Sequence, residues 1–149
     1  MHSLSSPSGN LYERDYYVWL QATAQSLKNK DWGSVDLQNL IEEIESRGRS
    51  EKNALKSNLV IVLLHLLKYA YQPSKRSDSW LNSITEHRIR IELALEESPS
   101  LWNYLEEVFE NCYTKARRAA ATETGLGEAA IQGLPPFTLE QAIDLEFLP

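Results

Sequence analysis

Two histidines stand where the surrounding sequence is least polar. His65 lies inside the run Leu59–Leu67, and its neighbours there are aliphatic. A buried imidazole needs a hydrogen-bond partner, or its burial costs roughly 1–3 kcal/mol. Given one, it can serve as a metal ligand or a general base. The plainer expectation is a core histidine bonded to a carboxylate or a tyrosine. On a wheel turning about 100° per residue, His87 falls between Ile84 and Ile91 and so faces inward or lies at an interface. Two inward imidazoles on neighbouring helices, with carboxylates to complete the set, are how metal sites are built in helical bundles. Glu45, Glu42, Glu86 and Asp15 are the carboxylates on offer. The spacing signature of such sites is missing. Val62 and Ile84 occupy the positions three before each histidine, and there is no His-x-x-x-His.

The densest charge run is Glu42 to Lys52. Glu42 and Glu45 are three apart and share a helix face, where they could bind a cation or hold an arginine such as Arg88. A solvated face with exposed ion pairs worth about 0–1 kcal/mol each is the competing account. Basic residues cluster at Lys75-Arg76, at Arg88 with Arg90, and at Lys115-Arg117-Arg118. Patches of this kind contact phosphate or acidic partners when they converge. No helix-turn-helix, RNA-binding or phosphate-loop motif accompanies them. Cys112 sits mid-stripe on its helix and reads as a small buried hydrophobe. No residue is assigned a catalytic role, and no cofactor is expected.

The elements that carry these residues are helices. The first is expected over Asn10–Lys28, with Tyr12, Tyr16, Trp19, Leu20, Thr23 and Leu27 on one stripe and Asn10 as cap. A second begins after Asp36, with Leu37, Leu40, Ile41 and Ile44 inward, and ends or bends at Gly48. A third runs from Glu51 to about Tyr71. It is apolar nearly all round from Leu59 to Leu67 and must be surrounded by other helices. A fourth covers about Asp78–Glu97 on the stripe Trp80, Ile84, His87, Ile91, Leu95. A fifth starts at Ser98-Pro99 and reaches Thr124, where Gly125 and Gly127 end it. Thr138 and Gln141 form a capping box for a short closing helix, which Leu139, Ile143, Leu145, Phe147 and Leu148 dock. The expected fold is all-α: an antiparallel bundle of about five main helices plus a short C-terminal helix. Residues 1–9 are expected to be a disordered tail and residues 10–149 a single helical domain.

Composition narrows the function classes. The chain has 149 residues, 42% apolar and 24% charged, with a net charge of −6. At this length roughly 70% of the unfolded surface can be buried without disulfides or metal. The acidic balance makes nucleic acid an unfavoured partner. A single cysteine rules out an intramolecular disulfide and suits a reducing compartment. The run Leu59–Leu67 is far shorter than the ~20 residues a membrane span needs. With no apolar leader visible, a cytoplasmic location without membrane contact is expected.

Several runs carry a family resemblance. They are Leu11–Leu20, Asp36–Glu51, Leu64-His65-Leu66-Leu67-Lys68-Tyr69 with Gln72-Pro73, Arg76 to Trp80, Ser98–Leu101, Thr138–Gln141 and the closing Phe147-Leu148-Pro149. In combination, over nearly the whole chain, they resemble the bacterial family known as domain of unknown function 29, found mostly in photosynthetic bacteria. The resemblance implies an all-helical fold. It implies no activity, substrate or catalytic residue. The expectation that follows is a non-enzymatic helical interaction protein that forms homo-oligomers, with no protein partner identified. The alternative is a metal- or ligand-binding bundle centred on His65 and His87 with Glu45. A weak nucleic-acid or acidic-partner binder comes third.

Overall fold

A computed structural model of the chain describes residues 7–149, and in these residues every regular element is helical. The α-helices are α1 (Pro7–Arg14), α2 (Tyr16–Lys28), α3 (Leu37–Tyr71), α4 (Asp78–Glu97), α5 (Leu101–Thr124) and α6 (Leu139–Ile143). Single 3-10 turns stand at Trp32–Ser34, Pro73–Lys75 and Glu128–Ala130. The chain forms two compact units, one ending at Arg49 and the other spanning Ser50–Pro149. Residues 1–6 of the expected tail lie outside the described residues, and Pro7–Gly9 are already helical.

The expected first helix is in fact two. Asp15 leaves the helical region at φ −150°, and its carboxylate accepts the backbone N–H of Val18, capping α2. A side chain that satisfies an orphan N–H makes a new helix start as cheap as continuation. The opposite correction applies at Gly48. The expected second and third helices are one, α3, 35 residues long. Glycine inside a helix costs about 1 kcal/mol against alanine, too little to end a helix whose flanking residues on both sides are good formers. A Cβ at Gly48 would meet nothing within 4 Å. Gly48→Ala is therefore expected to stabilise the chain by about 0.5–1 kcal/mol. That is a rise of about 2–4 °C in melting temperature, readable by circular dichroism.

The second unit holds the large core. From α3 it buries Leu55, Leu59, Val62, Leu63, Leu66 and Leu67, with Ile84 and Ile91 of α4 and Leu105, Cys112, Tyr113 and Ala116 of α5. The three-residue link Ser98-Pro99-Ser100 makes α4 and α5 antiparallel neighbours. Ser98 closes α4, so α5 starts at Leu101 rather than at Pro99. Gly125, at φ 73°, ends α5 in the left-handed region that favours glycine. Thr138 and Gln141 form the capping box of α6, which packs on α4 and α5. Leu139, Ile143 and Phe147 dock this closing segment, whereas Leu145 and Leu148 stay exposed.

The first unit is built differently. Among its described side chains only Trp19 and Thr23 are buried. Leu37, Ile41 and Ile44, expected to face inward, are 62%, 48% and 65% exposed. Leu40 alone of that set is half-buried. Among the described residues no helix is long and apolar enough to cross a membrane.

Candidate functional site

The first unit holds Glu42 and Glu45, and the second holds His65, His87 and Arg88. Glu42 and Glu45 are both exposed, and Glu42 pairs with Arg49 at 2.9 Å. The carboxylate of this run that does organise its surroundings is Glu43, which sequence reasoning passed over. It accepts hydrogen bonds from the phenols of both Tyr12 and Tyr16. Tyr12 meets the Trp19 ring edge-on at 4.7 Å, and Tyr16 stacks on it at 6.1 Å. The spacing 12, 16, 19 was readable as a stripe. The polar tips of two of its aromatics were the unused clue, since tyrosine hydroxyls on an inward stripe need a partner.

These phenols hold the Glu43 carboxyl below its ordinary range, while its bond to that carboxylate pushes Tyr12 up to about 12. Glu43 is therefore a group whose folded pKa is depressed. Its contribution is present above the ordinary glutamate value and is lost as pH falls through the lowered one. The Tyr12 contribution is full below the ordinary tyrosine value and is lost as pH rises through about 12. Replacing Tyr12 and Tyr16 together by phenylalanine is expected to lower stability at pH 7. That deficit should close as acid protonates Glu43. Urea melts of both proteins from pH 7 down to pH 3 read this directly.

In the second unit, His65 and His87 are both half-buried and share one bonding pattern. The Nδ1 of His65 meets the Ile61 carbonyl at 2.9 Å, and the Nδ1 of His87 meets the Ser83 carbonyl at 2.7 Å. A carbonyl only accepts, so each Nδ1 carries a proton, and in a neutral ring Nε2 would then hold the lone pair. Burial pushes the His65 imidazole below its ordinary pKa. Lys68 and His87 add to this, and the Ile61 carbonyl and Glu123 oppose it. Around the pair, Lys68 of α3 reaches Glu123 of α5 at 2.9 Å and lies 4.8 Å from the centre of the Trp80 ring of α4. This gathering of α3, α4 and α5 side chains supplies two nitrogen donors. Closed structural metal sites use four protein ligands and open catalytic ones three. Among the described residues no group of three or more histidine, cysteine or carboxylate side chains stands together to hold a metal ion.

Arg88 serves the fold rather than a ligand. It is 2% exposed, and its guanidinium donates to three backbone carbonyls of the closing segment. These are Ala142 through Nε at 2.8 Å, Phe147 through Nη1 at 2.8 Å and Gln141 through Nη2 at 3.2 Å. It caps the C-terminal end of α6, where the orphan carbonyls concentrate negative charge. The other arginine clusters are similarly engaged. Arg76 stacks on Tyr69, Arg90 pairs with Glu86, and Arg117 binds the carbonyls of Glu128 and Ile131. Tyr113 donates to the Gln132 carbonyl at 2.6 Å, which pins the same loop to α5. Cys112 is buried, and burial pushes its thiol up to about 11, far from a reactive thiolate.

The family model described as "Domain of unknown function DUF29" matches residues 11–148. No curated protein and no solved structure matches the chain.

Proposed function

Because the chain belongs to the family of domain of unknown function DUF29, an all-helical fold without an assigned reaction, we propose that it is a non-enzymatic interaction protein that self-associates through its first unit. One observation carries this reading. Among the described residues, the first unit exposes nine of the fifteen large hydrophobic side chains that are exposed, while burying only Trp19 and Thr23. Monomeric proteins seldom leave large apolar patches open to solvent.

The arrangement of these residues favours a second copy of the chain. Leu37, Ile41 and Ile44 follow the +4, +3 spacing of a helix-packing seam, and the next position of that pattern is the open Gly48. Farther along α3 the same face carries Leu55 and Leu59, which are fully covered within the second unit. Helix α2 bears no ionised side chain between Tyr16 and Leu27. Two copies, each with net charge −6, can therefore approach through α2 without setting like charges against each other. A two-fold contact would use each seam residue twice, at roughly 1.5–3 kcal/mol per side chain removed from water.

The test is the pair of changes Ile41→Glu and Ile44→Glu. Both positions are exposed, so helical content should be preserved while self-association weakens at least ~100-fold, the equivalent of about 3 kcal/mol. Sedimentation velocity against protein concentration reads the outcome. Unchanged association of the double variant would remove the seam from the account.

A further inference from the structure

The second unit carries a groove that the self-association reading does not use. It lies between α3 and α5, has a volume of about 490 Å³ and is lined by Lys56, Ser57, Val60, Ile61 and Lys115. Sites for small molecules fall in this size range and combine an apolar surface with a few convergent polar groups. Val60 and Ile61 are half-buried and form the apolar floor. The two ammonium groups come from different helices. Lys56 of α3 and Lys115 of α5 both line this one groove.

Neither lysine has an ion-pair partner among the described residues. Two unpaired positive charges over an apolar floor make a surface whose complement is an anion attached to a hydrocarbon chain. Ammonium groups bind such a head as point charges. The floor removes part of the chain from water at about 0.8 kcal/mol per buried methylene. Ser57 adds a hydroxyl donor at the rim.

We propose that the α3/α5 groove is a binding site for an amphiphilic carboxylate, with Lys56 and Lys115 holding the head group and Val60 and Ile61 covering the start of the chain. The inference is independent of self-association, since it uses only residues of the second unit.

Octanoate is the probe, and octan-1-ol, octylammonium and acetate are the comparisons. With methyl-labelled full-length protein, octanoate should shift the Val60 and Ile61 methyl resonances and saturate. The alcohol should bind at least tenfold more weakly for lack of the charge, octylammonium because its charge is of the opposite sign, and acetate for lack of the chain. The double change Lys56→Gln and Lys115→Gln should weaken octanoate binding at least tenfold with an unchanged melting curve. A second variant, Val60→Thr, should weaken octanoate while keeping both charges. Three results would overturn the proposal. They are no saturable shift with octanoate, equal binding of the alcohol or acetate, and undiminished binding to the double variant.

Discussion

Arg88→Ala should lower stability by about 3–4 kcal/mol, among the largest effects a single change gives in a domain of this size. The side chain is buried and serves three carbonyls, of which that of Ala142 belongs to a buried residue as well. Leaving buried acceptors unpaired costs about 1–3 kcal/mol apiece where solvent cannot reach them. The carbonyl of Gln141 belongs to an exposed residue and recovers part of that loss. Helix α6 has five residues, too few to hold itself together. Without the guanidinium, the segment from Leu139 to Phe147 keeps only its apolar anchors, including the edge contact of Phe137 with Phe147 at 5.9 Å. A fall in melting temperature of about 10 °C is expected, together with proteolytic release of the closing segment before the rest of the bundle is cut. Arg88→Lys should recover less than half of the loss, because one ammonium cannot reproduce a fork aimed at three oxygens. An Arg88→Ala protein that melts with the wild type would mean that the clasp contributes nothing.

Trp19→Ala should act on the first unit alone. Its indole is 1% exposed and is the one large buried side chain among that unit's described residues. Truncating a buried tryptophan costs about 3–5 kcal/mol. Helices α1 and α2, of 8 and 13 residues, are too short to persist without that contact. Amide exchange should therefore quicken across α1 and α2 while α5 keeps its protection. The companion change Trp19→Phe should cost only about 1 kcal/mol. It keeps an aromatic ring and removes the indole N–H, which is buried without an acceptor among the described residues. Equal exchange rates for wild type and Trp19→Ala would contradict a first unit that hangs on this residue.

The helices were legible because their signals are local. The stripe Trp80, Ile84, His87, Ile91, Leu95, the glycine stop at Gly125 and the capping box at Thr138 are all read from residues within one or two turns of each other. Boundaries went astray where two local signals compete. Asp15 lies inside the stripe expected over Asn10–Lys28, yet it caps a new helix. Gly48 reads as an end or a bend, although its cost is small beside the gain from continuing α3.

Site residues were harder for a different reason. Periodicity gives the face a side chain occupies, not what waits opposite. Arg88 falls on the inward side of α4, but its acceptors lie 53 to 59 positions away in sequence. No local pattern announces them. Glu43 was overlooked beside Glu42 and Glu45 because three carboxylates in four positions look alike until the tyrosines that choose among them are placed. The apolar run points to a buried His65 bonded to a carboxylate or a tyrosine, whereas the structure leaves both histidines half-buried. Their partners, two carbonyls of their own helices, are available to almost any helical histidine.

The exposed stripe of α3 invites the most direct examination. Equilibrium sedimentation of the full-length chain between about 1 and 50 μM should give a mass that rises toward twice 17.0 kDa. High salt should not abolish that rise, because Leu37, Ile41 and Ile44 are apolar and salt screens the exposed Glu42 and Glu45 carboxylates beside them. A mass that stays at one chain across the whole range would contradict the account of the first unit as a self-association surface.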